Sequence, residues 1–162
     1  VFKLVALEDK GQWVPAMKIS ENPEKTPNPG LKTVWRVYDM EQNATADLLC
    51  LEEETPQGAK RLTLHHPSGF TKKRTLSDNE VARLEPMLKP VYNKGKRLEK
   101  PLPLDEIRDR RKQDVECLHP GIRRLMNPHI YHVSLSRKLW NMKQRLIDNV
   151  RSGGTLTDTK EA

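Results

Sequence analysis

Only two cysteines occur in the 162 residues, Cys50 and Cys117. They lie far apart in neither a metal-type nor a redox-type spacing, which excludes a disulfide scaffold or a cysteine zinc site and fits reduced thiols in a cytosolic protein. No apolar run approaches the roughly 18 residues of a membrane helix, and no signal peptide precedes Val1; the sequence is read as soluble and cytoplasmic, with no membrane partner. Also missing are a Gly-x-Ser-x-Gly elbow, a Walker-type loop, a dinucleotide fingerprint and any internal repeat, so the chain carries no self-contained catalytic motif. The five histidines do not supply a metal site. His65 and His66 are adjacent and point to opposite sides of a strand, while His129 and His132 have no cysteine or carboxylate nearby to complete a ligand set.

Positive charge is plentiful. The 29 Lys and Arg against 22 Asp and Glu give +7 and a pI near 9.5, a balance that favours anionic ligands or nucleic acid. The clusters Lys94 to Arg97 and Arg108 to Lys112 resemble an electrostatic footprint, but Asp105, Glu106, Asp109, Asp114 and Glu116 alternate with the second, as on a solvated helix face. The tryptophans and tyrosines are not interleaved with these cations, which speaks against a stacking platform for single strands. Nucleic acid is therefore disfavoured. A basic module for RNA or an acidic protein partner remains the alternative function, with steep salt dependence as its signature. Apolar content is 35%, about 40% with glycine included and below the roughly 45–50% of average domains. One domain, or part of a larger one completed by a partner, is expected. The opening on Val1 without methionine points to a longer polypeptide.

Periodicity predicts an α+β fold, with an antiparallel strand-rich first half followed by C-terminal helices. Val1 to Leu7 reads as a strand buried on both faces, paired with Trp13 to Ile19 across Glu8 to Gln12. Thr33 to Tyr38 pairs with Ala44 to Leu51, and Arg61 to His65 pairs with Thr71 to Leu76 around His66-Pro67-Ser68-Gly69. Lys72, Lys73 and Arg74 make the last strand a charged edge. Glu80 to Leu84 reads as one helical turn, and Asn93 to Lys96 as a turn. A helix follows Pro103 with Leu104, Ile107, Val115 and Leu118 as its apolar stripe, closed by Pro120-Gly121, and Ile122 to Met126 is a short helical segment. The last helix has Ser136 as N-cap, Leu135 and Trp140 as a staple, and Leu139, Met142, Leu146, Ile147 and Val150 on one face; it should stop near Gly153-Gly154.

The stretch Lys18 to Arg36 organises the rest. Pro23, Pro27, Pro29 and Gly30 rule out a continuous helix, and cations recur at Lys18, Lys25, Lys32 and Arg36. Such a loop suits an anionic partner or a neighbouring subunit, or is simply a solvated surface loop.

Its pattern, Lys-x-Ser, Glu-Asn-Pro-Glu-Lys, Pro-Gly-x-Lys and x-Val-x-Arg, resembles a segment in the C-terminal part of nicotinate phosphoribosyltransferases. The likeness continues through Ala46-Asp47-Leu48-Leu49, Leu88 to Tyr92, Pro103 to Arg108, Leu125 to His129 and Val133 to Ser136. It implies the C-terminal portion of a larger enzyme containing an α/β barrel, which joins nicotinate to phosphoribosyl pyrophosphate with coupled ATP hydrolysis in NAD synthesis. It further implies a homodimer, ATP with Mg2+ for the intact enzyme, and no cofactor or catalytic residue in this segment. Residues 1–20 are then strands continuing from the barrel domain, 21–32 the Pro-rich loop, 33–154 an α+β region and 155–162 a disordered tail. Lys18, Ser20, Lys25, Lys32 and Arg36 are the candidate edge facing the substrate phosphates or a partner subunit.

Overall fold

The computed structural model of the chain describes residues 2–69 and 71–153. Strands β1 (Ala6–Asp9) and β2 (Gln12–Pro15) form a two-stranded ribbon. Its two-residue turn, Lys10-Gly11, has positive φ at both positions, 50° and 82°, as the hairpin turn that matches strand twist requires. The expected strand over Val1 to Leu7, buried on both faces, is not formed. Pairing begins only at Ala6, and Phe2, Leu4 and Leu7 are exposed. Apolar composition marks what a strand can bury, but burial needs a layer on each side, and the ribbon has neither. The ribbon is anchored at its base, where Val5 O accepts from Ala16 N at 2.9 Å and from Gly30 N at 2.7 Å.

The proline-rich loop contains a single 3-10 turn, Pro23–Lys25, capped by Asn22 Oδ1 accepting from Glu24 N at 2.9 Å. It leads into β3 (Lys32–Tyr38), which turns through Asp39 to Asn43 into β4 (Ala44–Leu51). β5 (Arg61–His65) and β6 (Lys73–Ser77) make the second hairpin. Where one helical turn is expected over Glu80 to Leu84, the chain instead makes a 3-10 turn at Asp78–Glu80 and then strand β7 (Arg83–Pro86). The reciprocal Ser77 and Glu80 capping bonds place the turn earlier, and pairing with β3 holds Arg83 to Pro86 extended. β7 is an edge strand, where a terminal proline is tolerated.

A small hairpin, β8 (Tyr92–Asn93) with β9 (Lys96–Arg97), precedes helix α1 (Leu104–Glu116). The apolar stripe expected to pack α1 is not buried: no residue of the helix is, and Leu104 and Ile107 are 62% and 49% exposed. Pro120 does not close this helix but opens the next, α2 (Pro120–Arg123). At a first helical position its missing N–H costs nothing. The helical turn expected over Ile122 to Met126 is displaced with it, because Arg124 is extended.

Strand β10 (His132–Leu135), not among the expected strands although Val133 and Leu135 alternate with polar residues, completes the main sheet. The order is β6-β5-β10-β4-β3-β7, with β10 parallel to β4 and antiparallel to β5. A four-residue strand from the second half thus joins the two hairpins of the first. The sheet must curl. Laid flat, its six strands would separate the edges by about 24 Å, whereas the six Cα steps from Ser77 to Arg83 reach at most about 22 Å extended and less through the 3-10 turn. The enclosed face buries Val37, Ala46, Leu48, Cys50, Leu62, Leu64 and Leu76 in one cluster, joined by Leu84 from the opposite edge.

Helix α3 (Arg137–Arg151) packs on the outer face. Ser136 caps it as expected, its Oγ accepting from Leu139 N at 3.1 Å, and Leu135, Leu139 and Leu51 form a second cluster with Trp140 beside them. Val150, expected on the buried face, is 40% exposed. The helix ends two residues before Gly153; the expected disordered tail lies outside the described residues. Among the described residues no helix is long and apolar enough to cross a membrane.

The sheet interior sets thiol chemistry. Cys50 is buried, and desolvation pushes its thiol up to about 12, while Cys117 is only partly covered. Because the thiolate is the reactive form, one thiol per chain, Cys117, should react with Ellman's reagent in the native protein and the second only after unfolding. Prompt labelling of both would contradict this packing.

Candidate functional site

Leu139, Lys143 and Ile147 recur every four residues on α3, so Lys143 sits in line with core side chains. It is 3% exposed. Its ammonium donates to Asn28 Oδ1 at 2.9 Å, to Pro67 O at 2.9 Å and more weakly to Thr26 O at 3.5 Å. One cation thus clamps the proline-rich loop and the β5–β6 turn onto the last helix. All its partners are neutral oxygens, and burial lowers its pKa from the usual lysine value. Sequence reading takes Met142 for the buried face and passes over Lys143; its place four residues from both Leu139 and Ile147 is the available signal.

Beside Lys143 opens a cleft of about 340 Å³ lined by Ser20, His66, Ser68, Trp140, Gln144 and Arg151. Ser20 reaches it because its N–H donates to Thr26 Oγ1 at 3.3 Å, which folds the loop back on itself. Of the five expected site residues only Ser20 lines this cleft. Lys18 and Lys25 are exposed and do not line it, and the carbonyl of Lys25 accepts from Lys3 Nζ at 2.6 Å. Lys32 turns inward to the carbonyl of Gly30, and desolvation lowers its pKa.

Arg36 has a different engagement. Its Nε donates to Asp47 Oδ1 at 2.9 Å and its Nη2 to Oδ2 at 3.3 Å, with both side chains about 15% exposed. Tyr131 Oη donates to the same Asp47 Oδ1 at 2.8 Å. The hydrogen bond with Asp47 raises the Arg36 pKa further above its ordinary value; burial and then Asp47 raise that of Tyr131. The group joins β3, β4 and the approach to β10. Asp47 and Tyr131 are not singled out as partners by the sequence; the expected β3–β4 hairpin is the signal that sets Asp47 opposite Arg36, whereas no local pattern links Tyr131 to a residue 84 positions away.

Taken together, the structure splits the expected edge into an inward part, Ser20, Lys32 and Arg36, and an outward part, Lys18 and Lys25. Among the described residues no group of three or more His, Cys, Asp or Glu is placed to hold a metal ion. The arrangement is chemically a clamp: cations ordering loops and carbonyls.

A family model described as the nicotinate phosphoribosyltransferase C-terminal domain matches residues 31–143. Nicotinate phosphoribosyltransferase of Bos taurus is 37% identical over 157 residues, 96% of this chain and 27% of that protein. The Bacillus subtilis protein of the same name is 29% identical over 153 residues, 94% of this chain and 31% of that protein. The crystal structure of human nicotinic acid phosphoribosyltransferase matches with a TM-score of 0.67 at 29% identity, over 84% of this chain and 26% of that one. The chain spans between about a quarter and a third of the length of these relatives.

Proposed function

Because the chain belongs to the nicotinate phosphoribosyltransferase C-terminal domain family, we propose that it is the C-terminal part of an enzyme forming nicotinate mononucleotide from nicotinate and phosphoribosyl pyrophosphate, with coupled ATP hydrolysis, in NAD synthesis. The match over residues 31–143 carries this reading. The chain then serves as a docking and scaffolding domain for a catalytic portion elsewhere in the polypeptide, acting as a cytoplasmic homodimer. The ATP and Mg2+ of that reaction are assigned in this reading to the other portion of the enzyme. The alternative, a basic module for RNA or an acidic protein, draws no support from the relatives.

Physical support for docking comes from residues 88–107. Leu88, Val91, Tyr92, Leu98, Leu104 and Ile107 are all exposed, and α1 buries nothing. An isolated helix of this length is marginal in water, and a contiguous apolar arm marks an interaction surface. We place the remainder of the enzyme against it. In the full-length protein, Leu104→Asp with Ile107→Asp should lower kcat/KM for nicotinate at least tenfold or dissociate the subunits, while the separate 162-residue chain makes no nicotinate mononucleotide. Unchanged turnover and unchanged mass in the double variant would remove the docking role; turnover by the separate chain would remove the assignment of catalysis to another portion. Lys18 and Lys25 remain the outward part of the proposed phosphate or subunit edge, and Lys18→Ala with Lys25→Ala in the same assay tests them without disturbing an internal bond.

A further inference from the structure

The pairing pattern brings the start of β6, the end of β5 and the start of β10 to one end of the curled sheet, because β5 runs against both neighbours. Register fixes the facing. Arg74 lies opposite Leu64, and His132 opposite Ala46, both partners belonging to the enclosed face. Paired residues share a face, so Arg74 and His132 converge on the mouth of the enclosed space. With Lys72, His66 and Ser134 they line a cleft of about 220 Å³ whose floor is Ala46 and Leu64. Among the described residues no carboxylate lines it.

The cations here are uncommitted. Among the described residues the ion pairs are Arg36 with Asp47, Arg83 with Glu85 and Arg108 with Asp105. Glu80, which senses Arg74, spends its Oε2 on Ser77 N and Oγ at 2.9 and 2.6 Å. His66 Nδ1 accepts from Ser68 N at 3.2 Å and Gly69 N at 3.0 Å, which leaves its ring proton on Nε2 as a donor. Ser134 is buried and lines the cleft, and its hydroxyl makes no hydrogen bond to another described residue. A charged edge that discourages strand pairing accounts for Lys72 and Arg74 alone. It does not account for their meeting His132 and Ser134, which stand two strands inward.

We propose that this mouth is a binding site for a small oxyanion, inorganic phosphate or the phosphate of a monoester, held between Arg74 and Lys72 on one wall and His132 on the other, with His66 and Ser134 between them. Donors arriving from several directions suit a tetrahedral anion, whereas a planar carboxylate is satisfied by one arginine fork. The site stands on the strand register and is independent of the enzyme assignment.

The test is a titration of the isotopically labelled 162-residue chain with inorganic phosphate, and separately with glucose 6-phosphate, at constant ionic strength so that screening does not change. Backbone and imidazole NMR shifts are the readout. The site requires saturable shifts at Arg74, His66 and His132, and at least a tenfold weaker Kd in Arg74→Gln with Lys72→Gln. Lys94→Gln, on the exposed β8–β9 hairpin, should bind as the parent does. His132→Gln, an exposed position away from the edge strand, provides a second loss should the double variant fail to retain amide dispersion. Tighter binding of the free ion or of the ester identifies which source the site takes. Linear, non-saturating shifts, full binding by the variants, or equal binding of acetate would overturn the proposal.

Discussion

Replacing Lys143 by Met should lower the unfolding free energy by about 2–4 kcal/mol, with the proline-rich loop released from α3. Two 2.9 Å charge-assisted bonds, to Asn28 Oδ1 and Pro67 O, disappear, each worth about 1.5–3 kcal/mol. Relief of the buried charge offsets part of that loss, because methionine fills similar space without desolvating an ammonium. Urea melts give the difference; limited proteolysis should show cleavage between Ser20 and Gly30 accelerating as the clamp opens. A variant as stable as the parent, with the loop equally protected, would mean that the clamp contributes nothing.

The pH dependence of that difference has a definite sign. Burial lowers the folded-state pKa of Lys143 below the unfolded 10.5, so between those two values the unfolded chain binds more protons than the folded one. Stability contributed by this lysine therefore rises with pH within that window. The gap between parent and Lys143→Met should widen from neutral pH toward 10.5. Lys32, whose pKa is also lowered, and Cys50, whose thiol titrates late, act in both proteins and cancel in the comparison. A gap that narrows over this range would contradict the burial of a protonated ammonium.

Removing Asp47 is the second large effect. Asp47→Ala leaves the Arg36 guanidinium without its carboxylate and the Tyr131 hydroxyl without its acceptor. Breaking a fully buried pair from one side costs about 3–5 kcal/mol; with each side chain about 15% exposed, solvent recovers part, and a loss of about 2–4 kcal/mol is expected. Asp47→Asn keeps one acceptor for Tyr131 and should lose less. A double-mutant cycle with Arg36→Gln should give a coupling of about 1–3 kcal/mol, as for groups in one network. A coupling near zero would mean that the pair is incidental. Arg36 is committed within the chain, so its loss reads stability first, and the outward Lys18 and Lys25 are the cleaner probes of a functional edge.

Elements written in local chemistry were legible in the sequence. The hairpin of β3 and β4 comes from β-branched and aromatic residues on either side of Asp39 to Asn43, and β5 from two leucines alternating with polar residues before a Pro-Ser-Gly turn. Ser136 as a cap, and the absence of a continuous helix from Pro23 to Gly30, need only neighbours a few residues away. The family resemblance rests on such local strings, and the match over residues 31–143 agrees with it.

The illegible elements depend on a second surface. Val1 to Leu7 and the stripe of α1 are apolar enough to be buried, but periodicity reports the capacity to bury and not the presence of a covering layer. β10 is four residues long and becomes a strand only because β4 and β5 leave a place between them. Lys143 meets Thr26 across 117 positions, and Tyr131 meets Asp47 across 84. The residue types, the turns and the helix start were determined by the sequence through interactions within a turn or a strand. Which lysine is buried and which cations share one mouth were decided by how α3 and the strands pack together, because only closure of the chain brings groups so distant in sequence near one another.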